Sequence, residues 1–113
     1  MTCFASSSPG EGSGTPGNDL FLGRGGNDRV YGNGGNDIFC LGGESNYVVT
    51  GGGNDKIDAG GGSDFISAGN GDNVVFGGDG NDYVSTGSGT DTVSGGPGSD
   101  YISAGGGMNK VEQ

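Results

Sequence analysis

A nine-residue repeat is the feature that most restricts the fold of this chain. Aligned at a period of nine, the sequence runs from Gly14 to Glu112 as eleven repeats without an insertion or deletion. The eighth position is apolar in all eleven copies, the fourth is Gly in ten, and the sixth is always Asp or Asn. A flexible linker has no reason to keep its apolar residues in phase, and collagen requires Gly at every third position. The pattern therefore predicts an ordered, repetitive structure.

Each repeat divides into a turn and a very short strand. The first six positions are rich in Gly, Asn and Asp, which tolerate positive φ and form turns. The last three, such as Lys56–Asp58, place one apolar side chain between two outward-facing ones. Two repeats then form a coil of eighteen residues, and alternate strands stack into two parallel sheets that face each other. We predict an all-β parallel solenoid over 14–112, preceded by a flexible or edge-covering segment over 1–13 and followed by Gln113.

The composition excludes several classes of function. Of 113 residues 31 are Gly and 28% are apolar, and four basic residues against fourteen acidic ones give a formal charge of −10. This acidity makes nucleic acid and anionic membranes poor partners and cations good ones. No apolar stretch approaches the ~18–20 residues of a membrane span. Because the chain has no His and no nucleophile–base arrangement, we expect no enzymatic activity and no transition-metal site.

The two cysteines and the N-terminal residues say less about disulfide bonding and export than the repeats say about the fold. Cys3 and Cys40 could pair, but one thiol in a polar tail and another in a repeat are expected to stay unlinked or to bridge chains. The first fourteen residues lack the basic start and the apolar core of a secretory signal peptide.

Two of the repeats match a known sequence pattern. Residues 77–85 and 95–103 fit the pattern Gly-Gly-x-Gly-x-Asp-x-U-x, where U is a large apolar residue, at every defined position. The chain resembles the RTX (haemolysin-type) calcium-binding nonapeptide repeat family over about nine-tenths of its length. The resemblance implies a right-handed parallel β-roll, with several Ca²⁺ ions held in the turns between neighbouring coils.

The resemblance also implies the ligands. Sixth-position carboxylates of repeats eighteen residues apart, together with turn carbonyls, would supply oxygens, and Ca²⁺ accepts about 6–8 hard oxygen ligands in flexible geometry. The alternative is that these side chains simply form Asx-turns. The repeat 41–49 departs most, with Glu44 in place of a Gly, and we expect Glu44 to face solvent rather than an ion. The expected ligands are Asp19, Asp28, Asp37, Asp55, Asp64, Asp82, Asp91 and Asp100, with weaker or empty sites at Asn46, Asn73 and Asn109.

The outward-facing seventh and ninth positions form a second kind of candidate site. Alternate repeats share a sheet, so strands about 4.7–4.9 Å apart would bring aromatic side chains into a nearly continuous column. Such a column either only suits strands or marks an interaction surface. The repeats also run almost to Gln113, so we expect an uncapped last coil that favours end-to-end assembly or cover by another domain. The predicted partner surface comprises Tyr31, Tyr47, Phe65, Tyr83 and Tyr101, with a second patch at Leu20, Leu22 and Ile38.

These features predict a secreted or cell-surface calcium-binding β-roll that folds on binding Ca²⁺ and has a structural or self-assembling role. Without metal, the small core does not offset the conformational cost of a Gly-rich chain whose carboxylates repel one another. The alternative is an excised folding or secretion module of a larger RTX toxin, hydrolase or adhesin. An ice-binding solenoid is less favoured, because Thr50, Thr86, Thr90 and Thr92 form no regular outer array.

Overall fold

The computed structural model describes residues 11–23 and 26–113, which form short strands joined by turns. None of these residues belongs to a helix, so the described part of the chain contains no helix able to cross a membrane. The twelve strands are β1 (Glu11–Ser13), β2 (Leu20–Leu22), β3 (Arg29–Tyr31), β4 (Ile38–Cys40), β5 (Tyr47–Gly51), β6 (Lys56–Asp58), β7 (Phe65–Ala68), β8 (Val74–Phe76), β9 (Tyr83–Thr86), β10 (Thr92–Ser94), β11 (Tyr101–Ser103) and β12 (Lys110–Glu112).

The odd-numbered and even-numbered strands form two separate six-stranded parallel sheets. Paired residues lie eighteen positions apart, as in Phe65 with Tyr83 and Lys56 with Val74, apart from one register shift near the end of β5. The chain therefore passes from one sheet to the other through each turn and completes a coil every eighteen residues. This confirms the predicted solenoid, its two parallel sheets and the length of its coil.

Strand β1 lies within the segment that was predicted to precede the repeats. Glu11–Ser13 pairs with β3 in the eighteen-residue register, so the coil already includes these three residues. The rest of that predicted segment, residues 1–10, lies outside the described residues.

The core consists of the middle residue of each strand, as the periodicity predicts. Phe21 and Ile102, near the two ends of the roll, are only partly buried, and the Phe21 ring stacks on Phe39 with centroids 4.6 Å apart. Val111 in β12 is 43% exposed, so the prediction that all eleven are buried is wrong there, because β12 is an edge strand with a neighbour on one side only. The eighth-position residues that are at most 5% exposed are Val30, Phe39, Val48, Ile57, Ile66, Val75, Val84 and Val93.

The outer face of the odd-numbered sheet carries the predicted aromatic column. The rings of Tyr47, Phe65, Tyr83 and Tyr101 are nearly parallel, with successive centroids 4.9 Å apart, and Arg29 lies 5.5 Å from the Tyr47 centroid. Tyr31 meets Tyr47 edge-on at 6.3 Å. The four parallel rings are 37–60% exposed, so the column is a surface feature.

The second predicted patch is less exposed than the aromatic column. Leu20 is 45% exposed, whereas Leu22 and Ile38 are half-buried. Cys40 beside them is buried and is not a free thiol, so the expectation that it stays unlinked is wrong. Whether Cys3 is its partner lies outside the described residues.

Fourth-position glycines allow the coils to stack closely. Gly53 has φ of 108°, and a Cβ added to it would collide with the carbonyl oxygen of Gly35 in the preceding coil. Glu44, the exception in this column, also has positive φ, 70°, and its side chain is exposed to solvent as expected. The turns therefore approach each other with backbone atoms directly in contact.

Replacing Gly53 with Ala should destabilise the folded roll. A left-handed backbone costs a residue with a Cβ roughly 1–2 kcal/mol, and the overpacking against Gly35 adds about 1–3 kcal/mol. The adjacent Gly52 is the matched control, because its added Cβ meets nothing within 4 Å. Urea unfolding in excess Ca²⁺ measures both variants. Equal losses in Gly53→Ala and Gly52→Ala would contradict the close stacking.

Candidate metal centre

The sixth-position side chains line the two edges of the roll, where each turn enters a strand. Those preceding the even-numbered strands form one edge, and those preceding the odd-numbered strands form the other. Most are buried: Asp37, Asp55 and Asp91 are fully inaccessible, and Asp19, Asp100 and Asn109 near the ends are half-buried. The first edge contains Asp19, Asp37, Asp55, Asn73, Asp91 and Asn109, and the second contains Asp28, Asn46, Asp64, Asp82 and Asp100.

Nine of these eleven side chains accept a hydrogen bond from a backbone N–H of the preceding coil through Oδ1. The backbone N–H of Asp37 donates to Oδ1 of Asp55 at 2.8 Å, and the N–H of Asp64 donates to Oδ1 of Asp82 at 2.9 Å. The same bond joins residues eighteen apart along both edges, including Asp28 with Asn46. The structure therefore brings together the sixth-position pairs that the resemblance implies.

The second carboxylate oxygen has no such partner. A buried carboxylate oxygen without a hydrogen bond or counter-ion is strongly unfavourable. Lys110 with Glu112 is the one ion pair in the part of the chain that the structure describes, and it lies at the surface. No described basic side chain therefore compensates these oxygens, which are Oδ2 of Asp37, Asp55, Asp64, Asp82, Asp91 and Asp100.

The surroundings of these oxygens fit a hard cation. The position that a Cβ on Gly77 would occupy lies 2.6 Å from Oδ2 of Asp82 and 2.9 Å from the carbonyl oxygen of Gly95, so the absence of a side chain at Gly77 leaves a cradle lined with oxygen. Residues 11–23 and 26–113 contain no group of three or more His, Cys, Asp or Glu that could enclose a metal. Single carboxylates completed by turn carbonyls form an all-oxygen donor set, which suits Ca²⁺ and not softer metals.

Asp19 and the three Asn positions differ from these Asp turns. Oδ2 of Asp19 accepts a hydrogen bond from the Thr15 backbone N–H at 2.7 Å, so a partner is already present. The Asn73 and Asn109 amides donate to carbonyl oxygens of their own turns, at 2.9 and 2.8 Å. The Asn46 amide makes one longer contact, 3.4 Å, with the carbonyl oxygen of Ala59.

Two groups of site residues were missed from the sequence. Fifth-position side chains form a second ladder of opposite direction: the N–H of Asn54 donates to Oδ1 of Asn36 at 2.8 Å. Thr50 and Thr86, at the first position, bury hydroxyl oxygens that have no hydrogen-bond partner. The recurring Asn was visible at the fifth position, but turn propensity explained it equally well, and two Thr among eleven first positions gave no periodic signal.

Burial raises the pKa of four carboxyls in these turns. The pKa of Asp64 rises to about 7, mainly through burial and further through the charge of Asp82, although the hydrogen bond from the Asn46 N–H opposes the shift. Burial likewise raises the pKa of Asp37, Asp55 and Asp82. For Asp55, the nearby Thr50 hydroxyl partly offsets this effect.

These shifts predict that acid favours the metal-free fold. Because the folded-state pKa of Asp64 lies above its ordinary value of 3.8, its contribution to stability is fully present below that value and is lost as the pH rises through about 7. In buffer stripped of Ca²⁺, β-structure measured by far-UV circular dichroism should therefore increase as the pH falls from 8 to 5. Asp64→Asn should make this dependence shallower. A gain of β-structure with rising pH would contradict the prediction.

Comparison with known families agrees with this geometry. The model of the RTX calcium-binding nonapeptide repeat matches the chain in four copies, at residues 13–48, 42–75, 49–84 and 76–109. Comparison with curated proteins and with solved structures finds no match. The family model covers most of the chain, and the coil length, the parallel sheets and the oxygen-lined turns are those expected of its repeats. The chain belongs to the RTX calcium-binding nonapeptide repeat family, whose repeats bind several Ca²⁺ ions in the turns of a β-roll.

Proposed function

We propose that the chain is an extracellular β-roll that folds when it binds Ca²⁺ and that acts as a structural module. The observation that carries the proposal is the set of buried Oδ2 atoms without a partner, on both edges of the roll. Each of these oxygens is stabilised by a cation and destabilises the fold without one. The proposed ligands are Asp37, Asp55, Asp64, Asp82, Asp91 and Asp100. Asp28 and Asp19 stand at the N-terminal end of the two edges, and Asp19 would bind an ion in addition to the Thr15 N–H that its Oδ2 already accepts.

The narrow core explains why the fold would depend on the ion. Only the strands away from the two ends of the roll, β3 to β10, have a buried middle residue, and the turns between strands are rich in Gly, which is costly to order. The formal charge of −10 adds repulsion between the carboxylates of successive coils. Ion binding removes the repulsion and supplies the missing partners in one step, so binding and folding are coupled.

Coupled folding favours a location outside the cell. Extracellular Ca²⁺ modules operate at about 10⁻⁴–10⁻³ M Ca²⁺, whereas cytosolic sensors respond at about 10⁻⁷–10⁻⁵ M. A roll that needs several ions would remain unfolded at cytosolic Ca²⁺ levels and fold after export. Secretion or display at the cell surface is therefore the location that we propose.

A Ca²⁺ titration followed by far-UV circular dichroism tests this function. The chain should be largely disordered in EGTA and should gain β-structure cooperatively at millimolar Ca²⁺. Mg²⁺ should not replace Ca²⁺, because it demands a smaller octahedral shell. Asp82→Ala should raise the Ca²⁺ midpoint, whereas Asp79→Ala, which removes the same charge from an exposed position, should not. Complete β-structure in EGTA would overturn the proposal.

The aromatic column supports a second role, self-association of the folded roll. Beside it runs a groove of about 500 Å³, bordered by Ser45, Ser63, Asn81 and Ser99. Contiguous exposed apolar surface of this kind commonly marks an interface. Bound Ca²⁺ would lower the negative charge that keeps copies apart, so association through the odd-numbered sheet would also depend on Ca²⁺.

Sedimentation velocity in millimolar Ca²⁺ tests self-association. The wild-type chain should sediment as a larger species than the monomer, and replacing Tyr47, Phe65 and Tyr83 together with Ser should restore the monomer. Phe76→Ser is the control, because Phe76 is an exposed aromatic residue of the other sheet. A folded wild-type chain that remains monomeric would exclude this role while leaving Ca²⁺-dependent folding untouched.

A further inference from the structure

Asp55, Asn73 and Asp91 occupy equivalent positions on three successive coils of one edge. Oδ1 of Asn73 accepts the N–H of Asp55 at 2.9 Å, and Oδ1 of Asp91 accepts the N–H of Asn73 at 3.0 Å. All three side chains are at most 1% exposed. Their first oxygens therefore have the same role, and the difference between Asp and Asn lies in the second terminal atom.

The second terminal atom of the Asn73 side chain, Nδ2, is a hydrogen-bond donor that lies close to backbone carbonyl oxygens. Its Nδ2 donates to the carbonyl oxygen of Gly69 at 2.9 Å and approaches that of Gly71 at 3.4 Å. Asn109 repeats the arrangement with Gly105 at 2.8 Å. The equivalent atoms of Asp55 and Asp91 are oxygens without a partner. An amide hydrogen in the Asn turns thus occupies the position that a cation must fill in the Asp turns.

Along this stretch of the edge, the residue type at the first position of the repeat changes together with the residue type at the sixth. Thr50 precedes Asp55 and Thr86 precedes Asp91 by five residues. Both Thr hydroxyls are buried without a hydrogen bond of ordinary geometry, and that of Thr50 lies near the Asp55 carboxyl. Where the sixth residue is Asn73, the first is Ala68, and where it is Asn109, the first is Ala104. Over residues 50–109 of this edge, the two turns with a carboxylate therefore contain an additional oxygen and the two turns with an amide contain none, whereas the turns of Asp19 and Asp37 begin with Gly. Two independent positions change together between the two kinds of turn.

We infer that this edge alternates between two kinds of turn over residues 50–109. The Asp55 and Asp91 turns require Ca²⁺ and use the Thr50 and Thr86 hydroxyls as additional oxygens. The Asn73 and Asn109 turns are closed by their own amides and bind no ion. The chain thus limits its Ca²⁺ load on this edge, because in the folded roll every second turn is satisfied by its own amide. The inference rests on the proposed Ca²⁺-dependent function and specifies which turns carry it.

Ca²⁺ stoichiometry measured by equilibrium dialysis tests the inference, with circular dichroism reporting folding in parallel. Asn73→Asp removes the amide donor and should add at least one bound Ca²⁺ per chain. Asp91→Asn creates an amide-closed turn and should remove at least one. Asn70→Asp is the matched control: it adds the same charge to the same turn at an exposed position whose Oδ1 already accepts the Ser88 N–H, and it should bind as many ions as the wild type.

The outcomes separate this inference from the function on which it rests. If the wild type binds Ca²⁺ and Asn73→Asp binds the same number of ions, the alternation is wrong and the function stands. If Asn73→Asp does not fold at saturating Ca²⁺, Asp91→Asn decides, and an unchanged stoichiometry in that variant overturns the inference. A wild-type chain that binds no Ca²⁺ overturns both.

Discussion

The structure depends on the partner of one buried oxygen in each turn. A sixth-position carboxylate uses Oδ1 to hold the coil before it, and this hydrogen bond fixes Oδ2 in a space bordered by the backbone of its own turn. In that position Oδ2 meets no donor in Asp37, Asp55, Asp64, Asp82, Asp91 or Asp100. An acceptor buried against other acceptors is stable only when a cation or a proton lies between them. The hydrogen bond that aligns the coils therefore also places Oδ2 where only a cation or a proton can stabilise it.

The close glycine contacts and the narrow core explain why ion binding at the turns affects the stability of the whole roll. Close contact between Gly53 and Gly35 brings successive turns together, so a cation at the edge bridges coils that the narrow core joins only weakly. The middle residues of the strands are buried once the coils are stacked, and the aromatic column outside then lies at the strand spacing, 4.9 Å. The turns, the core and the aromatic column consequently form together, and removal of the ion at the edge destabilises all three.

Much of the fold could be predicted because it is periodic. An apolar residue at every ninth position predicts the core of Ile57 and Ile66, and strand stacking predicts the aromatic column, since both follow from translation along one axis. The exceptions lie in the first and last strands of the roll. Val111 is exposed because its strand lies at an edge, and β1 adds residues that the repeat pattern does not include. The sequence identifies Asp and Asn at the sixth position, but the partner of each second terminal atom, such as Gly69 for Asn73, depends on turn geometry that spacing does not encode.

At a pH too high for a proton to replace the ion, the hydrogen bonds to the sixth-position carboxylates form only when a cation satisfies the second oxygen. Amide hydrogen exchange followed residue by residue by NMR measures it directly, with and without Ca²⁺. The N–H groups of Asp37 and Asp64, which donate to Asp55 and Asp82, should be strongly protected in Ca²⁺ and should exchange at the rate of an unfolded chain in EGTA. Equal protection of these two amides in both conditions would contradict it.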